Sequence, residues 1–196
     1  MNNDRKDPRM KNDQEEAYEK VLSSTLARVI DFVKFAEAKN AALLTFASAW
    51  ILASINFMYG ASKISDPHLI WAFNWALPLF TIGAIISFVT FLPEISLDQF
   101  HKDPEKRKSL LFFGDAATFS PAIYKERLEE FYLPGDGHWA TQKYLEDLSI
   151  QINVNSKIAV KKFRFFKVAA CSVFSAIVLL LYPFGKTFFV SYFLSK

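Results

Sequence analysis

The chain has 196 residues, room for one compact unit, and 52% of them are hydrophobic, with 21 phenylalanines and only six glycines. A net charge of +3 is too small to argue for a nucleic-acid partner, and the lone Cys171 excludes an internal disulfide. Three scattered histidines (His68, His101, His138) give no metal-ligand spacing, and no metal or organic cofactor is expected.

In chain order, residues 1–13 begin MNNDRKDPRMKN, lack apolar content and are expected to be disordered. With a polar start there is no cleavable secretion signal, so insertion falls to internal spans. Residues 14–40 form an amphipathic helix. Tyr18, Leu22, Leu26, Val29, Val33 and Ala36 recur every three or four positions, with Glu19, Arg28, Asp31, Lys34 and Glu37 on the other side. The seam is coiled-coil-like but too short to separate packing within the chain from packing between chains.

A charge-free run then gives a first transmembrane span at 41–60, and LIWAFNWALPLFTIGAIISFVTFLP a second at 69–93. Each reaches the roughly 20 residues that cross a hydrocarbon core. Asn56 and Asn74 are their notable polar groups, and hydrogen bonding within one bundle is the simplest use for them. Small residues at four-residue spacing, Thr45-Ala49-Ala53 and Gly83-Ser87, allow close helix approach. Residues 94–167 are charged and read as a helical region. They hold a connector, the apolar LLFF stopping at Gly114, a helix start at Ser120-Pro121 and the turn LPGDGH. From Trp139 a long helix runs on with a seam of Leu145, Leu148, Ile152, Asn155, Ala159 and Lys162. Asn155 in that seam is a register-fixing device. A third span covers 168–185, closed by Pro183 and Gly185, with Cys171 expected as a small buried side chain. Residues 186–196 are a short tail on the outer face. The fold class is an all-α multi-pass membrane protein: three transmembrane helices with a helical cytoplasmic region between the second and third.

Eight Lys and Arg precede the first span and twelve lie in 94–167, against one in the short loop and two beyond the third span. The bias places the N-terminus and 94–167 in the cytoplasm and the C-terminus outside. The spans hold no Asp, Glu, Arg or His, which disfavours ion-coupled carriers and proton pumps. Glu126, Glu129 and Glu130 beside Lys125 and Arg127 read as a solvated helix face, and no phosphate loop or nucleophile–base pair is visible, so the chain does not read as an enzyme. Two cation clusters precede aromatics: Lys106, Arg107 and Lys108 before Phe112 and Phe113, and Lys161, Lys162 and Arg164 before Phe165 and Phe166. Such sets hold phosphates and stack bases, or meet anionic lipid headgroups, the reading favoured for both.

LLFFGDAATFSPAIYKERLEEF (110–131), YLEDLSIQINVNSKIAVKKFRFFKVA (144–169) and EAKNAALLTFASA (37–49) together resemble the PycTM-type transmembrane effectors of bacterial Pycsar antiphage defence, over residues 31 to 183. The resemblance implies an inner-membrane effector activated by a cyclic pyrimidine mononucleotide, cCMP or cUMP, from a partner cyclase. Such an effector impairs the membrane and causes abortive infection; separately, this chain is expected to be a homo-oligomer in the bilayer. No separate β-roll nucleotide-binding domain fits this chain, so sensing falls to 94–167, with Phe112, Phe113, Gly114, Asn153, Asn155 and Lys161 as the candidate residues. The alternative is a constitutive membrane anchor or scaffold for a soluble partner.

Overall fold

The computed structural model describes residues 8–60, 65–92 and 109–193. All regular structure among them is helical: α1 Pro8–Tyr59, α2 Pro67–Val89, α3 Phe113–Ala116, α4 Pro121–Tyr132 and α5 Gln142–Phe193. Three helices are long and apolar enough to cross a membrane: Asn12–Tyr59, Pro67–Val89 and Gln142–Pro183. The 23 residues of α2 extend about 34 Å at 1.5 Å each, matching a roughly 30 Å hydrocarbon layer. In α1 and α5 the stretches without charge are the runs at 41–60 and 168–185.

The chain divides into two units. One comprises Met1–Val33 with Glu94–Val160, the other Lys34–Pro93 with Lys161–Lys196, so α1 and α5 each contribute to both. In the second unit Ala47, Ala72, Phe73, Ala76, Phe80, Val173, Ala176 and Leu180 form the core, and Trp50 stacks on Phe80 with ring centroids 5.7 Å apart. Gly83 permits the close approach of α2 to α5. A Cβ there would stand 2.6 Å from Val173 Cγ2 and 3.2 Å from the Ala169 carbonyl. Ser172 Oγ donates to the Leu79 carbonyl at 2.8 Å across the same contact. Gly83 of the expected stripe is thus buried against α5, and Ser87 is buried as well. The Thr45-Ala49-Ala53 stripe is not: Thr45 and Ala49 are exposed, and α1 buries Asn40, Ala47 and Ser54 at seven-residue intervals instead.

Asn56 and Asn74 both lie exposed on their helices, so neither is the internal glue expected of it. Cys171 is also exposed, because α5 turns Ala169, Val173 and Ala176 inward and leaves the thiol outside. Lys162 departs from headgroup contact as well, being a buried residue of this unit.

In the first unit Leu22, Leu110, Phe112, Ala140, Leu148, Val154 and Ala159 are buried. The segment 109–132 is stapled by polar contacts. Asp115 Oδ2 accepts the Ser109 N–H at 2.9 Å, and Tyr124 donates its hydroxyl to the Leu110 carbonyl at 2.8 Å. Ser120 caps α4 by accepting the Ile123 N–H, with Pro121 at the first helical position, as the sequence predicts.

Several boundaries differ from the expected ones. Helix α1 opens at Pro8, so residues 8–13 are helical, as suits a proline whose missing N–H is no loss in a first turn. Helix α5 starts at Gln142 rather than Trp139, because Thr141 Oγ1 accepts the Tyr144 N–H and caps it. It continues through Pro183 and Gly185 to Phe193. The connector and the Lys106–Arg107–Lys108 cluster lie outside the described residues.

Candidate functional site

The first unit contains a polar seam between α1, α4, the following turn and α5. The turn needs Gly137, whose φ of +77° is a left-handed conformation that other residues adopt at a cost. It brings His138 Nδ1 within 3.1 Å of Glu15 Oε1, while Glu15 Oε2 accepts the Trp139 N–H at 3.2 Å. One turn along α1, Glu19 Oε1 accepts hydrogen bonds from Ser23 Oγ at 2.6 Å and Tyr144 Oη at 3.3 Å. Glu19 therefore points inward rather than to the solvated face where its charge placed it.

Beside these carboxylates the Tyr132 and Tyr144 rings lie 5.3 Å apart. Tyr132 donates its hydroxyl to Oδ2 of Asp147, a residue only 1% exposed, and Lys143 Nζ stands 2.9 Å from Oδ1. Burial raises the Tyr132 phenol far above its ordinary range, and the adjacent Asp147 carboxylate pushes it the same way. Burial also raises Tyr144, with Glu19 adding to it. For Lys143 burial works downward, but the Asp147 hydrogen bond and charge, with Glu146, outweigh it and hold the ammonium above its usual value. All these groups precede the apolar run of α5 at 168–185.

Two adjacent cavities open on this seam. One, of about 380 Å³, is lined by Glu19, Tyr132, Trp139, Ala140 and Tyr144. The other, of about 480 Å³, has Glu15, His138, Ala140 and Thr141 among its walls. Aromatic faces there can stack a planar base, and carboxylates can accept hydrogen bonds from an amino group. No group of three metal-ligating side chains occurs among the described residues.

The second unit has its own polar site. Lys162, 8% exposed, donates to the Thr90 carbonyl at 2.7 Å and pairs with Glu37 Oε1 at 3.0 Å. Thr90 is the C-cap of α2, so the ammonium serves a carbonyl that has no intrahelical partner and sits at the negative end of the helix dipole. Lys39 Nζ lies over three rings, 4.4 Å from the centroid of Phe35, 5.5 Å from Phe166 and 6.0 Å from Phe163. Asn40 Oδ1 and Ser87 Oγ, one turn nearer the span on α1 and α2, are buried with no hydrogen-bond partner.

The six residues singled out in the sequence do not converge. Phe112 is buried and Phe113 is 64% exposed, their rings 4.9 Å apart, with Gly114 inside the short α3. Asn153 is exposed and Asn155 half-buried, and two residues apart on α5 they face roughly 200° from each other. Asn155 donates to its own helix, to the Gln151 carbonyl at 2.8 Å. Lys161 is exposed and belongs to the second unit. Sequence reasoning passed over Glu15, Glu37, Tyr132, His138 and Asp147. The i, i+4 spacings Glu15–Glu19 and Lys143–Asp147 on the seam-facing sides of α1 and α5 were the available signal.

The family model described as the Pycsar effector protein domain matches residues 21–190. A curated Pycsar effector protein, RsPycTM of a Rhizobium species, is 38% identical over 162 residues, covering 83% of this chain and 91% of the relative. No solved structure matches the chain.

Proposed function

We infer the function of this protein from one premise: the chain belongs to the Pycsar effector family. It is an antiphage-defence effector with three helices able to hold it in a membrane. We propose that a partner cyclase answers infection by making cCMP or cUMP, and that the nucleotide alters how the spans pack and so impairs the inner membrane. The infected cell then dies before phage matures. In this reading no bond is made or broken by the protein. The excess of Lys and Arg before the first span and in 94–167 supports a cytoplasmic N-terminus and sensing region, with the C-terminus outside.

The observation that carries the reading is the family match across 21–190, which takes in the charge-free runs of all three apolar helices. The cavity between Tyr132, Trp139, Tyr144 and Glu19 supports it as the place for the base. A carboxylate accepts from the exocyclic amine of cytosine and finds only an acceptor at the same position of uracil, which favours cCMP.

Calorimetry on the purified full chain tests this, with cCMP and cUMP each titrated into the parent, Tyr132→Ala, Phe113→Ala and Asn153→Ala. Binding that is lost in Tyr132→Ala alone supports the cavity. Loss in Phe113→Ala or Asn153→Ala moves the ligand to the other candidate surface, and no heat from either nucleotide removes direct sensing. Co-expression with a cyclase separates an effector from a scaffold: only the effector depolarises cells when the nucleotide is made.

A further inference from the structure

Asn74 stands where a membrane helix has least use for it. The buried residues of α2 are Ala72, Phe73, Ala76, Phe80, Gly83 and Ser87. At 100° per residue Asn74 points roughly 150° away from the centre of that face. It is exposed, as are Trp71, Trp75, Pro78, Ile82 and Ile85 around it. Seven residues in from Pro67, it lies about 10 Å along the helix and inside a roughly 30 Å hydrocarbon layer. Its side chain has no hydrogen-bond partner among the described residues.

The same residue carries a second open group. Pro78, inside α2, has no N–H to give to the carbonyl four residues back, which is that of Asn74. One position therefore presents an amide with two N–H donors and a carbonyl acceptor, together with a backbone carbonyl that lacks its usual i+4 donor. Acyl chains satisfy none of these, and each unsatisfied group at this depth is costly.

We propose that this face of α2 is a self-association surface, on which Asn74 of one copy donates its amide N–H to the proline-freed Asn74 carbonyl of a second copy and accepts the reciprocal bond. The occupant is a second copy of this chain because the group complements itself. Chains inserted in one orientation carry Asn74 at the same depth, and a two-fold axis along the membrane normal pairs each donor with the partner's acceptor. The flanking exposed Trp71 and Trp75, at 50% and 60%, supply flat apolar area around the polar centre. The assignment rests on the membrane span alone and stands or falls apart from the nucleotide reading.

Fluorescence energy transfer between labelled full-length chains in phosphatidylethanolamine–phosphatidylglycerol vesicles, diluted in lipid, measures the association. Asn74→Leu is expected to weaken it about tenfold, Asn74→Gln to keep most of it, and Pro78→Ala to weaken it by closing the backbone carbonyl. Asn56→Leu serves as the control. Asn56 is also exposed, but its carbonyl is already taken by the Gly60 N–H at 2.8 Å near the helix end, so this variant is expected to associate like the parent. Far-UV circular dichroism and thermal melting establish that each variant keeps its helices. Parent-like transfer in a folded Asn74→Leu, a parent that shows no transfer at any lipid dilution, or loss of transfer in Asn56→Leu but not Asn74→Leu, overturns the proposal.

Discussion

Replacing Lys162 by methionine probes the polar tie of the second unit directly. The ammonium lies 2.7 Å from the Thr90 carbonyl and 3.0 Å from Glu37 Oε1, in a residue 8% exposed. Methionine keeps the unbranched apolar stem and deletes the charge. A hydrogen bond to a charged group contributes about 1.5–3 kcal/mol, and breaking a fully buried pair by removing one partner costs about 3–5 kcal/mol. Here the Glu37 side chain is 45% exposed and regains water, which places the loss near the lower range, about 2–3 kcal/mol. Most of that loss belongs to the carbonyl of Thr90, a residue 5% exposed, which is left without its cation. Glu37→Gln keeps the carbonyl served and should lose about 1 kcal/mol or less. Denaturant unfolding in lipid–detergent micelles, followed by circular dichroism and tryptophan fluorescence, reads both. A Lys162→Met protein within about 0.5 kcal/mol of the parent refutes the tie, because that is the spread of featureless surface substitutions.

Gly83→Ala forces a methyl group to within 2.6 Å of Val173 Cγ2, and it should cost about 1–3 kcal/mol in the same assay; adding Val173→Ala should recover part of that loss. Spectrophotometric titration should show the Tyr132 phenol still protonated after exposed tyrosines have ionised. Its folded pKa lies above the unfolded value of about 10, so stability is full below pH 10 and falls as pH rises beyond it; Tyr132→Phe should flatten that decline. Asp147→Asn deletes the charge and turns one of the two oxygens that hold Tyr132 and Lys143 into an N–H donor, and it should destabilise by about 2–3 kcal/mol. Thermal melting against the parent checks it.

Three apolar helices were legible because apolar length is a local property: the runs in 41–60 and 69–93 need no knowledge of their neighbours, although α2 itself begins at Pro67 and ends at Val89. So was the start of α4, where Ser120 and Pro121 act within four residues of each other. What escaped depends on partners far along the chain. Glu15 meets His138, Glu19 meets Tyr144 and Glu37 meets Lys162, separations of more than a hundred residues. Periodicity reads a helix carboxylate as solvated unless its partner can be seen. The spans hid their orientation for a different reason: core and lipid faces are both apolar, so nothing in the run around Asn74 marks which side turns outward. The expected use of Asn74 inside the bundle followed from that symmetry, and the packing of Phe73 and Ala76 reversed it.

The magnitudes bear on how such an effector can switch. A transition that parts α2 from α5 must break the Lys162 tie, with its roughly 2–3 kcal/mol. Driving a two-state equilibrium from 1:99 to 99:1 takes about 5.5 kcal/mol, whereas coupling to one ligand typically supplies about 1–3 kcal/mol. If a nucleotide is the trigger, as proposed above, one on one chain is therefore too little for a clean switch. Chains that change state together add their ligand couplings, and two or three suffice. Depolarisation should accordingly rise more steeply with nucleotide than a hyperbola. Asn74→Leu should flatten the curve toward a Hill coefficient of about 1 while leaving the calorimetric affinity per chain within about twofold. A steep response that survives in Asn74→Leu would mean that the copies are coupled through some other face, and a hyperbolic response in the parent would mean that they are not coupled at all.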